Sequence, residues 1–265
     1  MDNLQEEFGQ YFDVVSADTV RLMEAAYRLR YQVYCEENAY EEPGRFPEQM
    51  ETDDYDLHSP HSMIKCRASG HYTGLVRLVL ADPVDPERPF PMECLGNFDS
   101  KGAGVDLSGI TRTSIGEISR FAISRSMRST CANSVSIRTV DVDDGEPRET
   151  SGHGQEPRKM TPHMILGLFA GIVRMSAQHK LTHWLAVMEP TLLRFLTRFG
   201  IHFQPLGPLV DYHGMRQPAI GVIDEVLAGI YASRKDVWEF ITENGRIWPL
   251  GGDALYLGVN NQALA

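Results

Sequence analysis

Apolar positions along the chain follow two periods. Six short stretches alternate or run apolar over strand lengths: Tyr11 to Ser16, His61 to Arg67, Gly74 to Ala81, Glu117 to Ser124, Thr182 to Met188 and about Arg216 to Ile223. In the fourth, alternation predicts Ile118, Arg120, Ala122 and Ser124 on one face. Helical spacing marks four further stretches. Asp18 or Thr19 can cap a helix that carries Val20, Met23, Ala26, Tyr27 and Val33 on one side. Thr161 and Pro162 open an apolar helix to about His179, and Pro190 opens another with Leu192, Leu193, Leu196 and Phe199 inward and Gly200 as its stop. Glu225 to Asn244 reads as one amphipathic helix closed by Gly245. Between these elements, Tyr40 to Pro60 is acidic and holds three prolines, so it cannot be regular throughout. Asp82 to Ile115 reads as a surface excursion, and Asp141 to Pro157 as a mobile polar loop. Hairpins early and alternating strands and helices late predict a single α/β (α+β) domain over 1–265.

Composition narrows the class. Hydrophobic residues make up 42% of the 265, enough for a sizeable core. Met1 to Gln10 is acidic with no apolar run, so no secretory signal is expected there. The longest apolar run, Met164 to Val173, is half of the roughly 20 residues a membrane span needs. Cys35, Cys66, Cys94 and Cys131 are scattered without a CxxC pair and read as free thiols in a reducing cytoplasm. The formal charge is −11, and residues 1–60 carry all of it, with fifteen acids against four arginines. The other 205 residues balance, 21 against 21. Within them Ile118 to Val140 and Pro157 to Met188 contain bases and no acid, a face that suits an anionic partner or is simply solvated. With pI near 5.3 and no basic-aromatic stripe, nucleic acid is not expected as a partner. His58, His61 and His71 read as surface or loop residues, and no metal site is expected.

Charged residues in apolar settings carry the functional signal. Arg77 interrupts an apolar strand, Glu117 and Arg120 flank Ile118 and Ser119, and Arg30 lies beside Leu29, Val33 and Tyr34. Ionised groups in such places need partners. Arg30, Tyr34 and Tyr40 stand at the spacing Arg-x3-aromatic-x5-aromatic, Asp53 and Asp56 bracket Tyr55, Gly74 to Arg77 forms a strand arginine element, and Glu117 to Phe121 reads Glu-Ile-Ser-Arg-Phe. These four elements, in this order, resemble the acyl-homoserine lactone (autoinducer) synthases. Tyrosines at 34 and 40 stand where those synthases usually have Phe and Trp. Arg198 to Pro208 and Asp211 to Pro218 resemble the sister group of long-chain N-acyl amino acid synthases and PEP-CTERM/exosortase-associated acyltransferases. The resemblance implies a GNAT-like acyl-CoA N-acyltransferase fold: a twisted mixed sheet, flanked by helices, whose central strands splay to admit a pantetheine arm.

The same resemblance implies an N-acyltransferase moving a long acyl chain from acyl carrier protein to the amine of an amino acid or related small molecule. Near neutral pH most of an α-amine with a pKa of about 8 is protonated, so a base is needed. Glu117 is the expected base, with Arg77 and Arg120 completing the catalytic charge network. Arg30, Tyr34, Tyr40, Asp53 and Asp56 are expected to bind the acceptor, with Arg30 and Arg77 holding Asp53 and Asp56 in a lid, Tyr40 to Pro60, that follows the first helix within the acidic segment 1–60. Ser119, Phe121, Arg125 and Arg158 are expected to bind the donor. Phe169, Trp184 and Met188 are core residues that also suit an acyl pocket. No tightly bound cofactor is expected, only the acyl-phosphopantetheine thioester as donor substrate. The pyrophosphate-binding pattern Arg/Gln-x2-Gly-x-Gly/Ala is missing, its nearest candidate being Arg148 to Gly154 with one residue too many. The readings this leaves beside the first are a lactone synthase using S-adenosylmethionine and a catalytically silent member that binds lipid or carrier.

Overall fold

A computed structural model describes residues 4–95, 107–132 and 156–251. The polar loop expected at 141–157 falls almost entirely outside them. The helices are α1 (Leu4–Tyr11), α2 (Val20–Tyr31), α3 (Arg125–Ala132), α4 (Glu156–Gln178), α5 (Pro190–Thr197), α6 (Ile223–Ser233) and α7 (Lys235–Thr242). The strands are β1 (Phe12–Ser16), β2 (His61–Cys66), β3 (Tyr72–Leu80), β4 (Ile115–Ile123), β5 (His183–Met188), β6 (Gln204–Pro205), β7 (Val210–Asp211) and β8 (Met215–Val222). They form an eight-stranded mixed sheet in the order β1-β2-β3-β4-β5-β8-β6, with β7 paired to β8. β1 and β2 are antiparallel, β4 and β5 parallel, and β5 and β8 antiparallel. Among the described residues no helix is long and apolar enough to cross a membrane.

By packing, the chain divides into two compact units: Met1–Thr52 with His61–Val76 and Phe121–Gly171, and Asp53–Pro60 with Arg77–Arg120 and Ile172–Ala265. In the first unit Ala26, Leu29 and Val33 of α2 and its extension pack with Met63, Leu75 and Ala122. Thr19 starts α2 by accepting the Leu22 amide at 3.3 Å, as a capping residue should. Past Tyr31 the coil widens into a π-helical turn, Gln32–Glu37. In the second unit Val79, Phe90, Met92, Ile115, Leu185, Leu206 and Ile220 form one core. Phe90 and Met92 therefore correct the reading of 82–115 as a surface excursion: part of it is a buried turn, Pro91–Leu95.

Three element predictions are corrected. The helix expected from Thr161 begins at Glu156, and Pro162 lies inside it. The single C-terminal helix is two, because Arg234 (φ −144°, ψ 80°) leaves helical geometry and starts α7 anew. The one-face alternation of β4 fails at Arg120, whose φ of 49° is left-handed. Such a residue in a strand marks a bulge. Just before it the parallel ladder between β4 and β5 ends, at Ile118 opposite Ala186, although both strands run on. Strand separation at the chemistry-bearing residues is what the resemblance led one to expect.

The cysteines also differ from expectation. Cys66 in β2 and Cys131 in α3 are joined by a disulfide, their Cα atoms 6.2 Å apart, while Cys35 and Cys94 are free. Scattered spacing hid the pair because partners 65 residues apart leave no local signature.

Candidate active site

Arg77 is fully buried in β3, in the middle of an apolar strand that leaves its guanidinium no water. Its Nη1 donates to Asp53 at 2.6 Å and to Asp56 at 2.8 Å, and its Nη2 to the Ser119 hydroxyl at 3.1 Å. Arg120 adds a second cation on Asp53 at 3.2 Å. The two aspartates are presented by a tight turn, Asp54–His58, that they cap themselves. Asp53 accepts the Tyr55 amide at 3.0 Å, and Asp56 accepts the Asp53 amide at 2.8 Å. Leu78 donates its amide to Pro60 at 3.0 Å, which lays the end of this segment along β3. Tyr55 donates to the Pro89 carbonyl at 3.1 Å and lies under Arg88. A buried strand arginine thus organises a proline-broken segment that has no regular structure of its own.

Glu117 lies two β4 positions before Ser119 of this network and is 4% exposed. Gly116 beside it is needed for packing, since a Cβ there would meet Leu181 at 2.6 Å. Among the described residues one hydrogen bond reaches the Glu117 carboxyl, from the Met92 amide at 2.8 Å. Burial pushes its pKa from 4.5 to about 7, with Glu93 adding to the rise while the Met92 amide, Arg77 and Arg120 oppose it. Such a group exchanges a proton near neutral pH, as a general base must.

Arg30, also fully buried, donates Nε to Glu51 at 2.5 Å, and its Nη1 lies 3.2 Å from His61 Nε2. Asp53 and Asp56 pair with Arg77, and Arg30 pairs with Glu51, a further acid of the same segment. His61 is 1% exposed, which corrects its reading as a surface residue. Tyr34 and Tyr40 come together, ring centroids 6.0 Å apart, with the Tyr34 carbonyl accepting the Tyr40 amide at 2.7 Å.

Of the residues expected at the donor, Ser119 bonds Arg77, and Phe121 packs on Phe169 with centroids 5.7 Å apart. The exposed Arg125 donates from its guanidinium to the Glu37 carbonyl and the Asn38 side chain. Arg158 falls in α4 with its side chain outside the described residues. Phe169, Trp184 and Met188 are buried, and Trp184 donates to Ser176 at 2.8 Å. Arg120, Arg125 and Arg174 of the two acid-free stretches each meet a carboxylate, from Asp53, Glu37 and Glu243. The open basic face is therefore smaller than the sequence suggests. Sequence reasoning missed Glu51, the Met92 amide and Glu37. Glu37 caps α3: its carboxylate takes the Arg125 amide at 2.8 Å, the Ser126 amide at 3.3 Å and the Ser124 hydroxyl at 2.6 Å. Nothing local distinguishes Glu37 or Glu51 from the other acids of 1–60, and an amide has no sequence signal.

Residues 29–136 match a family described as the acetyltransferase (GNAT) domain. Solved structures share the fold at low identity. The CoA-dependent acyl-homoserine lactone synthase BjaI, solved with SAM and isopentyl-CoA, aligns with TM-score 0.54 at 17% identity, over 94% of this chain and 99% of its own. The acyl-homoserine lactone synthase LasI aligns at 0.51 and 19%, over 83% and 94%. FeeM, an N-acyl amino acid synthase from uncultured soil microbes, aligns at 0.51 and 11%, over 84% and 96%. No curated protein sequence matches the chain. Residues 29–136 thus resemble the GNAT acetyltransferase domain, and the chain shares the fold of these synthases.

Proposed function

We propose that the protein is an N-acyltransferase that moves a long acyl chain from acyl carrier protein to the amine of an amino acid or related small molecule. The observation that carries this reading is Glu117: a buried carboxyl with pKa about 7, facing Arg77 and Arg120 where β4 leaves β5. In the reaction, the neutral amine nitrogen bonds to the thioester carbonyl carbon while Glu117 takes its proton directly or through one water; the carbon–sulfur bond then breaks and Glu117 returns that proton to the departing thiolate. Asp53 and Asp56, held by Arg77, give the acceptor's cationic groups an anionic wall. The carrier-protein donor is supported by the start of α3. There Glu37 already occupies the amides of Arg125 and Ser126, the kind of donors that grip a nucleotide's phosphates at a helix start. Glu117→Gln keeps the shape and removes the base. It is expected to lower N-acylation by about 10² or more while leaving the circular dichroism spectrum intact. Wild-type turnover by that variant would sink the assignment.

A further inference from the structure

Glu117 receives the Met92 amide from a turn whose own support is unusual. The turn Pro91–Leu95 is closed at its start by Glu93, which accepts the Phe90 amide at 2.7 Å while donating its own amide to the Phe90 carbonyl at 2.9 Å. Arg112 then clamps Glu93 with both arms of its guanidinium, Nη1 and Nη2 each at 2.7 Å. The same Nη2 donates to the Arg88 carbonyl at 3.0 Å, and the guanidinium stacks over the Phe90 ring at 4.6 Å. Four contacts from one side chain thus fix residues 88, 90 and 93 around Met92. Arg112 itself begins the turn Arg112–Ser114 that leads directly into β4. It therefore ties the root of the Glu117 strand to the turn that supplies the amide.

We propose that Arg112 is a positioning residue for Glu117: by clamping Glu93 it holds the Met92 amide on the Glu117 carboxylate. This rests on Glu117 being the base of the proposed acyl transfer. Neither Arg112 nor Glu93 touches Glu117 through a hydrogen bond among the described residues; the effect passes through the turn. The bidentate fork matters, because a single-pronged cation leaves Glu93 free to rotate and the turn free to lift. The groups facing Glu117 are Arg77 from β3, Glu93 from the turn, Tyr55 from the Asp54–His58 segment, and Arg120 on its own strand. Losing Arg112 removes a donor bond from the carboxylate and leaves Glu93 unneutralised. Both changes favour the protonated acid, so the base limb of the pH–rate profile moves to higher pH.

The test is a direct titration of the Glu117 carboxyl by ¹³C NMR in glutamate-labelled protein, with Glu117→Gln identifying its signal. In Arg112→Gln the midpoint is expected to rise by about one pH unit, with Arg112→Lys in between. The acyl-transfer rate should then fall several-fold at pH 7 and recover at pH 9. A folded Arg112→Gln protein with an unmoved midpoint overturns the proposal, and so does a rate loss equal at both pH values. If Arg112→Gln does not fold, Arg112→Lys carries the test, and its midpoint must lie above the wild-type value. The titration is independent of turnover. If Glu117 proves not to be the base, the midpoint still reports whether Arg112 positions the Met92 amide.

Discussion

At the scale of single residues, Glu117 sets function against stability. Its carboxyl titrates near 4.5 when unfolded and at about 7 in the fold, chiefly because burial disfavours the charge. The raised value means the folded state favours the proton. Stability is therefore greatest below about pH 4.5 and declines as pH climbs through about 7, by roughly 3 kcal/mol in all for this group. With Glu117 as the proposed base, activity is expected to run the other way, rising through the same window as the carboxylate forms. Glu117→Gln cannot ionise, so it should unfold at higher urea than wild type at pH 8, with its advantage shrinking toward pH 5. A lower midpoint for the variant at pH 8 would mean that Arg77 and Arg120 stabilise the carboxylate more than burial penalises it.

Elements show which parts of this were legible. The strands read well, because apolar runs and alternation depend only on neighbours in sequence, and so did the cap at Thr19. The charge network was legible as a need: Arg77 in β3 required a carboxylate, and Asp53 and Asp56 supplied it. Three features were not, for distinct physical reasons. Ile230 and Val237 stand seven apart, a helical repeat, so the break at Arg234 left the apolar pattern undisturbed. The left-handed Arg120 keeps its place in the alternation while its backbone does not. The pairing of Glu51 with Arg30 is tertiary, and seven other acids lie within 36–54. That pair gives the element-scale prediction. The Arg30–Glu51 bond is buried on both sides, so removing the anion takes a charged partner from a buried cation. Glu51→Gln should cost about 3 kcal/mol in equilibrium urea unfolding, compared with well under 1 for Glu41→Gln, whose arginine partner is exposed. Equal costs would show that Arg30 is satisfied without Glu51.

At the scale of the molecule, a disulfide ties β2 to α3. The Cys66–Cys131 bond closes a loop of 65 residues, for which chain entropy alone gives about 4 kcal/mol. Cys66→Ser should lose stability on that scale, and alkylation in denaturant without reductant should label Cys94 and the buried Cys35 alone. Four labelled thiols would contradict the pairing. Under the proposed carrier-protein reading, the donor is selected by charge at the start of α3. Burial there raises the Glu37 pKa, but bonds from Ser124, Arg125 and Ser126 outweigh it and hold the carboxyl below its ordinary value. The carboxylate is then present at every working pH, and a pyrophosphate approaching the same amides meets a fixed like charge. A phosphopantetheine arm delivered by a carrier protein has no adenine nucleotide and no pyrophosphate to place. Acyl carrier protein should therefore outcompete the matching acyl-CoA, with its KM rising as salt screens the contact. Glu37→Ser releases the two amides without adding bulk. It should lower the KM for acyl-CoA several-fold and leave the carrier KM within about twofold, as measured by thiol release with each donor. Wild-type enzyme that uses both donors equally and without regard to salt, or a Glu37→Ser variant in which the CoA KM does not move, would assign the donor to coenzyme A.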